Sequence, residues 1–249
     1  TVNINNTFFS CNRRNSDGGA LKLYGSSNDG RATTFNISNS IFKGNESSTL
    51  GSGGAAIYIG DASSNSSFSN LNIYKTDFIE NVLTGSTSAG GISVFSGKQI
   101  VNINGGLFNR NGYNGASGNK GGVLGTSAGA VVSINGINAI NNSATANGGV
   151  FLNASRTIVV LDSSYFSNNV GGVAATNNVT FTNSVILGGV VPPSVITKSQ
   201  CNVYSNFFGV ISGNVFDDKN GYKDSTVNGI GIGPNGNGAG SSVGFTDSL

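Results

Sequence analysis

The chain has 249 residues and a formal net charge of +2, and only 10 % of its residues are charged. So little charge excludes the basic surface that holds a nucleic-acid backbone, and no nucleic-acid partner is expected. Histidine is absent, which removes the commonest general base and transition-metal ligand. No signal peptide or transmembrane run is visible, so we expect no membrane span and interpret the chain as cut from a longer precursor.

A short apolar alternation recurs through the first 190 residues. Val2-Asn3-Ile4-Asn5 is apolar at every second position, and a strand turns those residues to one face and the asparagines to the other. The copies of this strand begin at Val2, Phe35, Leu71, Val101, Val132, Val159 and Val179. The copy at Val132 needs one extra residue to reach Ile140, which predicts a bulge. We expect the stacking of copies to end near Leu187.

Five of these seven strands lead to a phenylalanine that is followed three residues later by an asparagine. The pairs are Phe9/Asn12, Phe42/Asn45, Phe78/Asn81, Phe108/Asn111 and Phe166/Asn169, with a degenerate copy at Ile140/Ser143. Asparagine tolerates left-handed backbone and bonds its own turn, and stacked asparagines bond to each other along an axis. The phenylalanines are predicted to form an interior column of rings. None of these roles requires a ligand.

A Gly-Gly pair follows most Phe-x-x-Asn units and opens a further apolar alternation. The pairs begin at Gly18, Gly53, Gly90, Gly121, Gly148 and Gly171. Such pairs suit a corner with positive φ, or a place where the backbone passes close to a neighbouring coil. The Ser/Asn/Gly-rich stretches 25–31, 46–52, 61–67, 83–89 and 111–120 differ in length and predict loops on a constant frame. Any binding surface is expected on these loops.

Repeats with a period of roughly 23–37 residues are typical of a solenoid. The Phe-x-x-Asn and Gly-Gly units resemble the right-handed parallel β-helix of pectin-lyase-like proteins. They are most similar to the polymorphic outer membrane protein repeats of bacterial surface adhesins. The resemblance implies an all-β fold, with a right-handed parallel β-helix of about six to seven coils over residues 1–190. This architecture carries lyases, hydrolases, epimerases and non-catalytic adhesins alike, so it does not define an activity.

The composition changes after Pro192-Pro193. Residues 191–210 are interpreted as a connector. Residues 211–249 begin with Ile211-Ser212-Gly213-Asn214-Val215-Phe216, which looks like the opening of the small β-sandwich repeats in large surface proteins of the Bacteroidota. We therefore interpret 211–249 as the incomplete start of a second β domain with a tail rich in Gly, Asn and Ser.

A partial calcium loop lies in this last segment. Asp218, Asn220 and Asp224 stand at the first, third and seventh positions of such a loop, and Asp217 adds a donor. The twelfth position falls on Gly229, so the bidentate carboxylate is missing. The alternative interpretation is an Asx-rich turn. Calcium at these four residues is the one metal site predicted, and no cofactor is required.

The repeats contain no cluster of acid and base residues suited to catalysis, and no catalytic residue is predicted. Asp77 and Glu80 flank Phe78, but the neighbouring copies have no acidic residue at the matching position, whereas a glycosidase needs two facing carboxylates. The pair Arg13-Arg14 is a candidate contact for an acidic sugar, with a solvated turn as the alternative.

An ice-binding face needs a regular threonine array. The outward column instead reads Asn3, Asn36, Asn72, Asn102, Ser133, Val160 and Thr180.

The two cysteines are predicted to lie at opposite ends of the stack. Cys11 is inside the first Phe-x-x-Asn unit and Cys201 follows the last repeat, so stacking separates them too far for one disulfide. Cys11 is predicted to be a small buried hydrophobe.

The sequence thus predicts a non-catalytic adhesin or structural stalk segment that is extracellular or on the cell surface. It is expected to present variable loops on a rigid β-helix to glycans or other surface proteins, as part of a larger polypeptide. The alternative is a polysaccharide lyase or hydrolase of the pectin-lyase-like fold. Three carboxylate, Arg or Lys groups converging in one groove would favour that alternative.

Overall fold

The computed structural model describes residues 1–15, 18–24, 32–48, 53–60, 68–84, 89–95, 98–113, 122–126, 129–143, 151–153, 158–169, 174–176, 178–187, 203–205, 211–212, 215–216, 222–224 and 230–232. Every regular element within these ranges is a β-strand, and the strands wind into a parallel β-solenoid. The predicted all-β class and the parallel β-helix are confirmed.

The described strands are short and are numbered here in chain order. The first fifteen are β1 (Val2–Asn5), β2 (Phe8–Ser10), β3 (Arg13–Arg14), β4 (Leu21–Leu23), β5 (Thr33–Ser38), β6 (Ile41–Lys43), β7 (Glu46–Ser47), β8 (Ile57–Gly60), β9 (Phe68–Tyr74), β10 (Asp77–Ile79), β11 (Val82–Leu83), β12 (Ile92–Phe95), β13 (Lys98–Asn104), β14 (Leu107–Asn109) and β15 (Gly112–Tyr113). They are followed by β16 (Leu124–Thr126), β17 (Val131–Asn135), β18 (Asn138–Ile140), β19 (Phe151–Asn153), β20 (Ile158–Asp162), β21 (Tyr165–Ser167), β22 (Ala174–Thr176), β23 (Asn178–Thr182), β24 (Val185–Leu187), β25 (Val203–Ser205), β26 (Ile211–Ser212), β27 (Val215–Phe216), β28 (Tyr222–Asp224) and β29 (Ile230–Ile232).

These strands form four sheets, because successive turns of the chain place corresponding strands side by side. Sheet A has the order β1-β5-β9-β13-β17-β20-β23-β26, and sheet B has the order β2-β6-β10-β14-β18-β21-β24-β27. Sheet C has the order β15-β11-β7-β3, and sheet D the order β29-β28-β25-β22-β19-β16-β12-β8-β4. The described pairings are parallel except that of β28 with β29, which is antiparallel.

The register of sheet A confirms the predicted strand copies. The residues that open the repeated alternation pair in succession, in the order Val2, Phe35, Leu71, Val101, Val132, Val159 and Val179. Leu71, Val101 and Val132 are completely buried, whereas Asn102 and Ser133 beside them are exposed. The period-two pattern therefore places the solenoid interior correctly.

The rings of the Phe-x-x-Asn units stack in the interior of sheet B. Their centroids are 4.6 Å apart from Phe9 to Phe42, 5.0 Å from Phe42 to Phe78 and 4.8 Å from Phe78 to Phe108, with interplanar angles of 3–8°. Neighbouring strands lie about 4.8 Å apart, so the rings repeat at the spacing of the backbone. The predicted aromatic column is confirmed.

The asparagines of the same units form a ladder along the solenoid that is buried from Asn45 onward. In each rung the side-chain amide Nδ2 donates to Oδ1 of the next asparagine, at 2.8–3.1 Å, and the series is Asn12, Asn45, Asn81, Asn111, Asn142 and Asn169. The backbone N–H of each rung donates to the same Oδ1, as Asn45 does to Asn81 at 3.1 Å. The second Nδ2 hydrogen reaches a carbonyl in the previous coil, as from Asn81 to Phe42 at 2.9 Å. An interior rung such as Asn81 therefore has four hydrogen bonds and no unused amide valence.

The degenerate repeat lies one residue earlier in the chain than we predicted. Ala139 pairs with Phe108 and with Phe166, and Asn142 supplies the rung, so these residues hold the motif positions instead of Ile140 and Ser143. The predicted extra residue and bulge are wrong. The unit keeps its length and its asparagine and has lost only the ring.

The corners of the solenoid use left-handed backbone, but not at the ladder asparagines. One corner lies between sheets A and B, with positive φ at Asn6, Asn39, Lys75, Gly105, Gly136, Ser163 and Asn183. A second corner directly precedes the ladder, with positive φ at Cys11, Gly44, Glu80, Arg110, Asn141 and Asn168. The ladder asparagine follows the left-handed residue, which leaves its side chain free to point inward.

A buried hydroxyl column, which we did not predict, runs beside the first corner. Ser40 Oγ accepts the N–H of Thr7 at 3.1 Å from the previous coil and donates to the carbonyl of Ser38 at 2.8 Å. Thr76 and Ser164 also donate to the carbonyl two residues earlier, at 3.0 and 2.8 Å. These hydroxyls satisfy corner amides that no sheet ladder reaches.

The Gly-Gly pairs at Gly53 and Gly90 lie just before strands of sheet D, where the backbone is closely packed. A Cβ on Gly91 would lie 2.5 Å from the carbonyl oxygen of Val123, and one on Gly54 would meet the carbonyl of Ile57. Neither residue has positive φ. Close backbone approach therefore explains these two glycines, in agreement with the second of the two predicted reasons.

Part of the predicted loop sequence is regular structure. The stretches 46–52, 83–89 and 111–120 begin within or next to the two-residue strands β7, β11 and β15 of sheet C. The stretches 25–31 and 61–67 lie entirely outside the described residues. So do residues 49–52, 85–88 and 114–120 of the other three stretches.

Parallel pairing extends past Leu187, where we predicted that stacking ends. Strand β26 pairs with β23 in sheet A, and β27 pairs with β24 in sheet B. Most of residues 188–249 lies outside the described ranges, so the boundaries at 190 and 210 and the separate β domain stay predictions.

Candidate functional site

The predicted calcium ligands fall almost entirely on residues that the structure does not describe. Asp217, Asp218 and Asn220 lie outside the described ranges, and Asp224 is described only as the last backbone residue of β28. The calcium prediction is therefore neither confirmed nor contradicted.

The acidic residues flanking Phe78 have ordinary structural partners. Asp77 pairs in register with Ile41 and precedes Phe78 in β10, and its Oδ1 accepts the N–H of Leu107 at 2.9 Å. Glu80 forms an exposed ion pair with Arg110 at 3.4 Å. Across the described ranges, no three His, Cys, Asp or Glu side chains come together as metal ligands would. The same residues include no helix long and apolar enough to cross a membrane.

The pair Arg13-Arg14 forms strand β3 at the edge of sheet C and is exposed. Arg13 makes an ion pair with Glu46 at 3.1 Å, directly across the parallel pairing of β3 with β7. The solvated turn that we considered for this pair is wrong, because a strand holds both residues. An exposed pair of this kind contributes well under about 1 kcal/mol.

Cys11 is exposed, so its predicted burial is wrong. It occupies the left-handed corner before Asn12, with φ of 54°, instead of an inward strand position. Its Sγ accepts a hydrogen bond from Ser10 Oγ at 3.4 Å. Cys201 lies outside the described residues.

The outer face of sheet A carries a second asparagine ladder, which is exposed at Asn3 and Asn102 and half-buried at Asn36 and Asn72. Asn36 donates to Asn3 at 2.8 Å, Asn72 to Asn36 at 2.9 Å and Asn102 to Asn72 at 2.9 Å, each from Nδ2 to Oδ1. The column continues in register through Ser133, Val160 and Thr180, as predicted. Each internal amide of this ladder uses one of its two Nδ2 hydrogens and one of its two Oδ1 lone pairs in ladder bonds.

Apolar side chains stand beside this ladder. Tyr74 in β9 is 45 % exposed, Ile100 in β13 and Val131 in β17 are each 43 % exposed, and Val160 in β20 is 38 % exposed. Ile100 pairs in register with Val131, so these two form a neighbouring pair on the face. We use "the amide face" for the outward side chains of sheet A, namely Asn3, Asn5, Thr34, Asn36, Ser38, Asn70, Asn72, Tyr74, Ile100, Asn102, Asn104, Val131, Ser133, Asn135, Val160 and Asp162.

Sheet A has two described charged residues at the alternate positions of the amide face. Lys98 is the first residue of β13, two positions before Ile100, and Asp162 is the last residue of β20. Asp162 accepts hydrogen bonds from Asn135 at 3.3 Å, Ser163 at 2.9 Å and Asn183 at 2.8 Å. The other described charged residues lie on sheets B, C and D or at corners, at Arg13, Arg14, Lys22, Lys43, Glu46, Lys75, Asp77, Glu80, Arg110, Lys223 and Asp224. From the sequence, we considered this asparagine column only as an ice-binding array, and we did not predict its ladder of hydrogen bonds.

Comparison with protein-family models, with curated proteins and with solved structures returns no match for this chain. The arguments about function therefore rest on the solenoid and on its described surfaces. Those surfaces supply amide donors and acceptors, a few exposed apolar side chains and isolated ion pairs.

Proposed function

We propose that this chain is a non-catalytic adhesin or stalk segment of a larger secreted or cell-surface polypeptide. The observation that supports the proposal best is the ladder from Asn12 to Asn169, which runs beside the stacked rings. Every interior rung uses all its hydrogen-bonding capacity inside the scaffold, so the motif serves the rod and leaves no group for chemistry.

The ladder also suits a mechanical role. Each coil from Asn12 to Asn169 is joined to the next by strand pairing and by the asparagine rung, and stacked rings add a third link from Phe9 to Phe108. Hydrogen bonds directed along the axis stiffen a rod against bending, and bonds in such a chain polarise one another. A stiff rod holds its attached segments at a fixed distance from their base.

The same proposal includes the finer assignments made from the sequence. The repeats over residues 1–190 are those of a right-handed, pectin-lyase-like β-helix of six to seven coils, related to polymorphic outer membrane protein repeats. Residues 191–210 are a connector, and 211–249 open a further β domain with calcium at Asp217, Asp218, Asn220 and Asp224. The fixed spacing of phenylalanine and asparagine on sheet B supports the repeat assignment.

The ligands proposed for the rod are glycans or other surface proteins, held by the unequal stretches between motifs. The test immobilises the chain and probes it with an array of neutral and acidic glycans. A matched variant replaces 61–67 and 114–120 with short Gly/Ser turns. Binding that is lost in the variant while its thermal unfolding is unchanged supports the proposal, and binding that the replacement does not alter contradicts it.

The lyase or hydrolase alternative makes a different prediction in the same samples. Incubation with acidic polysaccharides would yield unsaturated or shortened products, which chromatography separates. Sustained release of such products by the purified chain would overturn the non-catalytic proposal. The scattered, individually partnered carboxylates of the described residues favour the stalk over this alternative.

A further inference from the structure

The first coil of the solenoid, residues 1–24, lies at one end of all four sheets. Its strands β1, β2, β3 and β4 are the terminal strands of sheets A, B, C and D, and each pairs with a strand of the second coil. Among the described residues, no strand pairs with their other edges. We use "the leading end" for the groups of this coil that the second coil leaves uncovered, namely the side chains of Val2, Ile4, Phe9 and Asn12 and the N–H groups of Phe8 and Arg13.

The leading end exposes apolar side chains that belong to the core in later coils. Val2 is 45 % exposed, whereas Phe35 and Leu71, which continue its column in register, are 6 % and 0 % exposed. Ile4 is only partly buried against the core, whereas Ile37 in the same column is buried. Apolar surface is more stable when it is removed from water, so this end favours a cover that continues the core.

The ring column and the inner ladder also reach the first coil without a closing group. Phe9 is half-buried and stacks on Phe42, and no described ring lies against its other face. Asn12 is exposed, and its N–H and Nδ2 donate to Asn45 Oδ1 at 3.1 and 2.8 Å. Asn45 in turn donates from Nδ2 to the carbonyl of Phe9, in the previous coil, at 3.1 Å. By the same geometry, Asn12 turns its Oδ1 and one Nδ2 hydrogen toward the leading end.

Two backbone N–H groups repeat this pattern. Ile41 and Glu46 each donate an N–H to a carbonyl of the previous coil, at 2.9 and 2.8 Å. Phe8 and Arg13 occupy the corresponding register positions in the first coil. Their N–H groups therefore point out of the leading end, where the parallel strands of a preceding coil would supply carbonyls.

The far end of the solenoid is built differently. Ile186 and Phe216 continue the ring column in register, but the residues three positions later are Gly189 and Lys219, so both units lack the asparagine. The last described strand of sheet D, β29, is antiparallel to β28. The far end thus departs from the repeat, whereas the leading end keeps the phenylalanine, the asparagine and the edges of parallel strands.

These groups select one kind of cover. A matching partner supplies strands parallel to β1–β4, a ring over Phe9 and an amide that donates to Asn12 Oδ1, and one further coil of the Phe-x-x-Asn repeat supplies them all. A second copy supplies fewer. Two leading ends that met about a two-fold axis would pair their strands antiparallel and reverse the order of the sheets, so only one sheet could meet its own copy. A far end placed on a leading end would bring no rung asparagine.

We propose that the leading end binds a further coil of the same repeat, supplied by the polypeptide that precedes Thr1. Its phenylalanine stacks on Phe9, and its asparagine donates to Asn12 Oδ1. The connection can be short, because β13 begins only three residues after the last residue of β12, so a strand of sheet D leads almost directly into a strand of sheet A. The inference rests on the proposal that the chain is a segment of a larger polypeptide, and it names the neighbouring segment. Its test measures coil stacking and not glycan binding, so either proposal can fail alone.

The test adds a coil to the full chain. Residues 71–99 are joined in front of Thr1, which places the added Asn81 30 residues before Asn12, the spacing of Asn81 and Asn111 in the chain itself. The same join places the added Phe78 over Phe9. The matched control carries the same extension with Phe78→Ser and Asn81→Ser in the added segment only. The readout is amide hydrogen exchange at Phe8 and Arg13.

In the unmodified chain, we expect the N–H groups of Phe8 and Arg13 to exchange at least about tenfold faster than those of Ile41 and Glu46, which have carbonyl partners. The added coil should slow exchange at Phe8 and Arg13 by at least about tenfold, and the control extension should not. Residues 35–69 in front of Thr1 are the second extension, in case the first fails to fold. They place the added Asn45 36 residues before Asn12, the spacing of Asn45 and Asn81.

Three results would overturn the proposal. The first is that neither extension slows exchange at Phe8 and Arg13 while the rest of the chain stays folded, or that the control slows it equally. The second is slow exchange of these amides in the dilute unmodified chain, because they would then have partners within it. The third is exchange that slows as the unmodified chain is concentrated, which would assign the leading end to a second copy.

Discussion

The solenoid contains two asparagine ladders that use the same amide-to-amide hydrogen bond, in opposite directions along the axis, and differ in environment. Asn81 and its neighbours are completely buried beside the stacked rings, whereas Asn72 and its neighbours lie on the outside of sheet A. Both ladders repeat an Nδ2 to Oδ1 bond of about the same length, 2.9 Å for each of these two residues. The buried amide adds a backbone donor and a carbonyl acceptor to that bond.

The comparison separates what an amide bond contributes from what burial contributes. Water replaces a lost partner on the outer ladder, but no water is available to an amide in the core. A buried group without its partner keeps its desolvation cost of about 1–3 kcal/mol. The inner ladder should therefore control stability, and the outer ladder should chiefly control surface shape and contact.

The largest effect is expected from Asn81→Ala. The substitution leaves the N–H and Nδ2 of Asn45, the carbonyl of Phe42 and one lone pair of Asn111 without their partner. We expect a loss of about 3–5 kcal/mol in the free energy of unfolding, measured by denaturant titration. Hydrogen exchange at the Asn45 amide should accelerate with it. A loss below about 1 kcal/mol would contradict the role given to the inner ladder.

An intermediate effect is expected from Ser40→Ala. Ser40 is 2 % exposed, and its hydroxyl has two hydrogen bonds, to the N–H of Thr7 and the carbonyl of Ser38. We expect the same titration to show a loss of about 1–2 kcal/mol, because fewer buried groups lose a partner than in Asn81→Ala. Ser40→Thr keeps the hydroxyl and is the control, as Thr76 holds the corresponding place one coil later. Equal losses for Ser40→Ala and Ser40→Thr would assign the effect to packing.

The smallest effect is expected from Asn72→Ala, in the same coil as Asn81. It removes the ladder bonds to Asn36 and from Asn102, but water can reach all the groups left behind. The expected loss is below about 1 kcal/mol. Should Asn72→Ala and Asn81→Ala prove equally costly, the amide bond itself, and not its burial, would be the source of the stability.

Much of the scaffold could be predicted because its physical requirements recur at matching positions. The apolar alternation set the register of sheet A, and phenylalanine and asparagine at fixed spacing set the column and the inner ladder. The repeat at Ala139 was misplaced because the large apolar residue Ile140 was taken as the marker, whereas the asparagine is the residue that the turn needs. A ring position tolerates alanine more easily than a rung tolerates a residue without an amide.

Other features left no usable pattern in the sequence. The strands of sheet C are two residues long, too short for an alternation to appear. The hydroxyl column was hidden because serine and threonine are abundant and because Gly106 and Ile137 interrupt it. The exposure of Cys11 depends on a left-handed corner, which residue type alone did not indicate. For the predicted calcium residues, the described structure offers no test.

The rungs of the inner ladder are unequally spaced along the chain, by 33, 36, 30, 31 and 27 residues, yet each is hydrogen-bonded to the next. Each rung thus brings the chain back to the same position in the coil, whatever the number of residues between rungs. An insertion or deletion between rungs is absorbed within a single coil and is not passed on to the next. Mutational changes in length can therefore accumulate in one coil while its neighbours keep their alignment.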